Sequence, residues 1–165
     1  PIEMSAKDVC DGCGDGEGQG NLTKCGKCLD ARYCSKGCQK THWARHKIIC
    51  YKIQGNQQFK LRSFQAAAAL YQKGSVAARS YLEKEATCAK AATCASAQVC
   101  CDAVLKTLVH LLSNKAQCFI HLQMWDDAMK EARSAVEIDP SHAKSQERLT
   151  KAQYEVFMAR ELRGG

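Results

Sequence analysis

The sequence predicts a mainly α-helical protein in two directly joined parts, a small metal-folded module over residues 1–50 and a helical array over 51–165. Three observations carry that expectation. Seven cysteines and a histidine crowd the first 50 residues at short, ligand-like spacings. Beyond them Pro140 is the only proline, and alanine, leucine, lysine, glutamate and glutamine are abundant. Within that second part, small and aromatic residues recur at the spacing of a helix-turn-helix unit.

The first module is ordered by its ligands. Cys10-x2-Cys13, Cys25-x2-Cys28, Cys34-x3-Cys38 and His46-x3-Cys50 supply eight thiolate or imidazole donors, enough for two tetrahedral zinc shells. Two ions can fold a segment too poor in large apolar residues to fold alone. With all eight positions filled by protein, neither shell leaves room for a catalytic water, so both ions are expected to be structural. His42 competes with His46, because Cys38, His42 and His46 are four apart and share one helical face. The alternative reading of the cysteines, a disulfide framework, belongs to oxidising compartments. No apolar signal segment precedes them in this sequence, and a cytoplasmic or nuclear protein is expected.

The series Tyr33-Cys34-x3-Cys38-Gln39-x3-Trp43-x2-His46-x3-Cys50 resembles the MYND finger, a peptide-binding zinc module of short hairpins and a helix. The resemblance implies interleaved sites, Cys10, Cys13, Cys34 and Cys38 on one ion and Cys25, Cys28, His46 and Cys50 on the other. It favours His46 over His42, since the family's histidine follows its tryptophan by three residues. It also implies that a hairpin edge and the following helix bind short proline-rich peptides through Gln39 and Trp43, pre-ordered segments suited to aromatic-walled grooves. Gly26 stands where some members use a serine, and Trp43 has the alternative role of packing against the zinc core.

Charge and hydropathy exclude other classes. The best apolar stretch, Val104 to Leu112, is short and interrupted by Lys106 and His110, far from the ~20 apolar residues of a membrane span. Of the net charge of +7, residues 1–50 hold +2, which seven thiolates and two Zn²⁺ turn to about −1. A nearly neutral finger is a poor reader of nucleic acid. The remaining positive excess lies in the second part and suits an acidic partner.

In that second part Gly55-Asn56, Phe59-Lys60, Phe64, Ala67 and Tyr71 match the spacing of a tetratricopeptide (TPR) unit. Asn114, Ala116, Leu122, Trp125, Ala128, Ala132, Ala135 and Asp139-Pro140 form a second copy. Small residues let paired helices approach, aromatics fill the gaps, and the proline ends the second helix. Ser75 to Val99 must then be an extended second helix plus an insertion. The insertion repeats Ala-Thr-Cys-Ala at 86–89 and 92–95 and precedes Cys100-Cys101. Six residues at about 100° each place the repeated cysteines some 240° apart, which suits packing or a loop better than a third metal site. Cys118 falls at a packing position as a small hydrophobe. Ser141 is the expected N-cap of a helix from Ala143 to Leu162 closed by Gly164, resembling a capping helix or the first helix of a truncated third repeat. The ending Leu162-Arg163-Gly164-Gly165 is similar to the ubiquitin tail, but nothing upstream resembles its body.

Lys52 and Asn56 are four apart, as are Lys144 and Arg148, so each pair projects from one helical face. With Asn114 they resemble the dicarboxylate clamp of TPR proteins that hold the Glu-Glu-Val-Asp tails of cytosolic heat-shock chaperones. Cationic and amide donors in a concave site would bind the two carboxylates of a terminal aspartate; the alternative is five solvated polar residues. No flexible linker separates the parts, so the finger's last helix is expected to butt against the first array helix near Cys50 and Lys52. The function expected is a non-enzymatic adaptor. The rivals are a fragment of a SET-class lysine methyltransferase without its catalytic domain and a nucleic-acid-binding zinc protein.

Overall fold

The computed structural model describes residues 9–14, 22–89 and 95–164. The Ala-Thr-Cys-Ala duplication and Cys100 lie outside the described residues and side chains. Two strands, β1 (Thr23–Lys24) and β2 (Arg32–Tyr33), pair antiparallel with Thr23 opposite Tyr33. Five helices follow: α1 (Lys36–Lys60), α2 (Phe64–Ala89), α3 (Ala95–His121), α4 (Trp125–Ile138) and α5 (Ala143–Gly164). The chain is mainly helical, with the metal-binding module at its start. Each helix packs on the next, while α3 also touches α1 and α5, so α1, α3 and α5 form one layer. Among the described residues no helix is long and apolar enough to cross a membrane.

The junction expected near residue 50 does not exist as a break between two helices. Ser35 caps α1 by accepting from the Cys38 N–H at 3.1 Å, and the helix then runs unbroken for 25 residues. Nothing between Cys50 and Lys52 interrupts it. Ile48, from the finger side, is buried in the array core with Tyr71, Leu108 and Leu111. Ile53, from the array side, packs against the finger's cysteines. The two cores therefore interlock along one helix.

The array contains an internal correspondence at a separation of 61 residues, pairing Gly55 with Ala116, Phe64 with Trp125 and Ala67 with Ala128. Its turns match too. At the end of α1, Arg62 N–H bonds Phe59 C=O and Ser63 N–H bonds Gln58 C=O; at the end of α3, Gln123 N–H bonds Ile120 C=O and Met124 N–H bonds Phe119 C=O. Both are Schellman closures whose left-handed residue, Arg62 at φ 58° and Gln123 at φ 58°, is not glycine. The helix pairs differ inside: a Cβ on Gly55 would stand 2.5 Å from the Tyr71 ring, whereas the second pair places Ala116 and Ala132 there, both fully buried. Small opposite large has become small opposite small.

Cys118 is fully buried, and burial pushes its thiol up to about 12, in keeping with a packing role. Ser141 does not cap α5. Its N–H and hydroxyl both donate to Asp139 Oδ1, at 2.9 and 2.6 Å, because the carboxylate two residues back is the nearer acceptor in the turn around Pro140. His142 takes the capping place instead, its Nδ1 2.7 Å from the Ser145 hydroxyl.

The two turns and Gly55 generate opposite expectations. Arg62→Gly and Gln123→Gly should each raise stability by up to about 1 kcal/mol by relieving a left-handed side chain. Gly55→Ala should lower it by about 1 to 3 kcal/mol through overpacking. Urea denaturation followed by circular dichroism checks both signs.

Candidate functional site

Each Cys-x2-Cys pair sits on the same short turn. Gly14 N–H returns to Cys10 C=O at 2.8 Å, and Leu29 N–H to Cys25 C=O at 2.9 Å. The returning residue is left-handed in both, Gly14 at φ 79° and Leu29 at φ 59°. Ala31 and the first residue of β2 tie the turns together: Cys25 N–H bonds Ala31 C=O at 2.7 Å, and Asp11 both donates its N–H to Arg32 C=O and accepts from Arg32 N–H through its carboxylate. Cys34 follows β2, and α1 supplies Cys38, His46 and Cys50.

This brings together Cys10, Cys13, Cys34 and Cys38 in one quartet and Cys25, Cys28, His46 and Cys50 in the other, with the donor atoms of each quartet within 4.8 Å of one another. Sulfurs of the first stand 3.7 Å (Cys13 to Cys34) and 3.4 Å (Cys34 to Cys38) apart. A tetrahedral zinc with ~2.3 Å bonds needs ligand separations of about 3.8 Å, whereas a disulfide needs ~2.05 Å. In the second quartet His46 Nε2 lies 3.6 Å from Cys28 Sγ, and all four ligands are buried. His42 belongs to neither quartet: its Nδ1 is 3.2 Å from the Tyr33 hydroxyl.

The electrostatics suit a cation. Burial opposes ionisation of Cys10, yet the N–H groups of Cys34, Cys13 and Gly12 together draw its thiol down to about 6. Cys25 is likewise lowered against its burial by Cys28 and Lys27 N–H groups. Cys50 is pushed up to about 12 by burial and by the neighbouring Cys28 and Cys25 charges, a crowding of thiolates that a divalent ion relieves. Burial, then His42, holds His46 below the usual imidazole range, which favours the neutral form that a metal needs.

Trp43 is half-buried on the finger core, its ring 5.8 Å from that of His46, with the Lys27 ammonium 5.6 Å from its centroid. It thus packs on the second quartet. Gln39 is half-buried four residues earlier on the same helix.

On the α1, α3 and α5 layer a recess of about 260 Å³ is lined by Asn56, Phe59, Lys60, Tyr71, Asn114, Gln117 and Arg148. Asn56, Asn114 and Arg148 therefore converge, with Asn114 Nδ2 3.4 Å from Asn56 Oδ1, which also accepts from the Tyr71 hydroxyl at 2.8 Å. Lys52 and Lys144 do not line it; Lys52 is half-buried elsewhere on α1 and Lys144 is exposed. Arg148 donates through Nε to Gln117 Oε1 at 2.9 Å and through Nη1 to the buried Ser113 hydroxyl. Burial lowers its affinity for its proton, the nearby Glu147 charge partly offsets this, and no carboxylate among the described residues stands within ion-pair distance of it. Sequence reasoning missed Tyr71, Gln117, Ser113 and Lys60 as lining or anchoring groups. Gln117 had one available signal, its position three residues after Asn114 on the same face of α3.

Two interleaved, closed four-donor sets joined by a β-turn frame and a helix define a structural two-zinc finger. Residues 10–50 match the family model described as the MYND finger, and that stretch is a MYND zinc finger holding two structural zinc ions. Curated relatives match over this region. N-lysine methyltransferase SMYD2 of Gallus gallus is 50% identical over 42 residues, covering 25% of this chain and 9% of the relative. N-lysine methyltransferase SMYD2-B of Danio rerio is 55% identical over 29 residues, 18% of the chain and 7% of the relative. Egl nine homolog 1 of Mus musculus is 39% identical over 44 residues, 27% and 10%. The chain thus spans no more than about a tenth of these relatives' lengths. No solved structure matches it significantly.

Metal analysis should give two zinc ions per chain, His46→Ala should lose one, and His42→Ala should keep both. Chelation should also lower the melting midpoint of the helical array, because the helix carrying Cys38, His46 and Cys50 buries Ile48 in the array core.

Proposed function

We propose that the chain is a non-enzymatic protein-interaction adaptor of a reducing, cytoplasmic or nuclear compartment. The α1, α3 and α5 layer serves as a TPR-type groove for peptides that end in a free acidic carboxylate, such as the tails of cytosolic heat-shock chaperones. The finger takes short proline-rich segments beside Gln39 and Trp43. One observation carries the groove reading: Asn56, Asn114 and a half-buried Arg148 with no carboxylate in ion-pair contact among the described residues converge in one recess. A guanidinium so placed is stabilised by an incoming carboxylate through charge-assisted bonds. Lys52 and Lys144, outside the recess, would add long-range attraction rather than contact.

A second reading rests on the relatives, several of which carry lysine methyltransferase names. Their match covers the finger alone. Binding of a methyl donor by the full chain would favour it over the adaptor.

Calorimetry on one acidic peptide, as free acid and as C-terminal amide, tests the groove. Amidation removes a charge and strands the donors meant for it, at a cost of roughly 1 to 3 kcal/mol, so affinity should fall about ten- to a hundredfold. Equal affinities would refute the reading. Arg148→Ala should act like amidation, and Arg148→Lys should rescue only part, since a point charge lacks the planar fork. For the finger, Trp43→Ala should weaken a proline-rich peptide while both zinc ions stay bound; loss of metal would make Trp43 a core residue alone.

A further inference from the structure

The donor to Gln117 determines more than one hydrogen bond. A guanidinium only donates, so the bond from Arg148 Nε turns the Gln117 oxygen toward α5 and its amide nitrogen the other way. That nitrogen stands 3.1 Å from His121 Nε2, one turn further along α3. An amide nitrogen also only donates, so His121 accepts through Nε2 and carries its proton on Nδ1. The imidazole is held in turn by aromatic packing from two other helices. It stacks on Phe64 with centroids 4.3 Å apart and planes within 5°, and meets Phe59 edge-on at 5.4 Å. Rings from α1 and α2 thus hold the His121 imidazole in place, Arg148 sets the sense of the Gln117 amide, and Gln117 ties the two together.

The choice of a neutral amide at residue 117 is informative. A glutamate there would bind Arg148 equally well and cancel its charge, leaving nothing for an anion. Glutamine orients the guanidinium without neutralising it, and Ser113, also neutral, does the same at Nη1. Every residue that holds Arg148 among the described residues leaves its charge intact.

We propose that Gln117 and His121 are positioning residues for carboxylate binding, a relay that holds Arg148 by its Nε so that its remaining donors serve the recess. This rests on reading the recess as a carboxylate site. The relay acts through Arg148 and touches no ligand itself.

The test uses the full zinc-loaded chain and an acidic hexapeptide ending in a free aspartate. His121→Phe keeps the aromatic packing and removes the acceptor, and affinity should fall about three- to tenfold; His121→Gln, which restores an acceptor, should recover part of it. Gln117→Glu should reduce affinity at least tenfold while the urea midpoint stays level or rises, a split that loss of structure cannot produce. In the unliganded protein the Arg148 Nε–H resonance should be distinct and slow to exchange with water, and should broaden or shift in His121→Phe. Wild-type affinity in both His121→Phe and Gln117→Glu would overturn the proposal, as would an Arg148 signal that ignores His121→Phe. If the unaltered chain binds no free-acid peptide, the carboxylate reading fails, and the Arg148 resonance still decides the relay.

Discussion

Helix α1 is the constraint on which the rest of the structure depends, because it belongs to two cores at once. At about 100° per residue, His46, Cys50 and Ile53 fall on one face and Ile48 and Gly55 on another. The first face completes the second zinc quartet and packs on the finger, while the second enters the array. A structural zinc site contributes on the order of 10 kcal/mol of folding free energy, far more than a helix of this composition gains by itself. Metal binding therefore orders the first helix of the array, and the array in turn buries the helix that carries three of the ligands. Gln54 reinforces the junction, its amide nitrogen 3.2 Å from both the carbonyl and the sulfur of Cys50.

The same helix links packing to the recess. Because residue 55 is glycine, the Tyr71 ring lies directly against α1, and from there its hydroxyl reaches Asn56 Oδ1. The acceptor capacity of Asn56 is thus taken up by Tyr71 and Asn114, which sets the orientation of its amide. In the second helix pair, where alanine faces alanine, Ala132 in the place of Tyr71 has no polar group with which to make the corresponding reach. The polar recess sits beside the one pair that carries the aromatic.

The two metal sites share a construction yet differ in exposure. Both use a tight turn closed by a left-handed residue, but the first quartet has the exposed Cys13 and the second is wholly buried. Four thiolates around one ion leave a net charge of −2, which partial exposure and the N–H groups on Cys10 Sγ accommodate. Replacing one thiolate by the neutral His46 halves that charge, which suits the site without access to water. Leu29, left-handed and 61% exposed, occupies the place that Gly14 has in the first turn.

By itself the sequence determined the chemistry and the periodicities: eight soft donors at short spacings, helix-forming composition after residue 50, and small and aromatic residues in a helix-turn-helix rhythm. These are local properties, readable because ligand spacing and helical faces span only a few residues. The pairing of the ligands came from resemblance rather than spacing, since any Cys-x2-Cys pair fits either ion. Only the tertiary structure decided the rest. It made the junction at residue 50 a single helix, because continuity depends on Ile48 and Ile53 finding cores on opposite sides. It gave the capping place to His142 instead of Ser141, because Asp139 competes for the hydroxyl. It brought Asn56, Asn114 and Arg148 into one recess, left Lys52 and Lys144 outside it, and added Tyr71 and Gln117. Side chains 58 or 92 residues apart meet through the angles at which helices pack, and those angles depend on the sum of many contacts, which no short window of sequence contains.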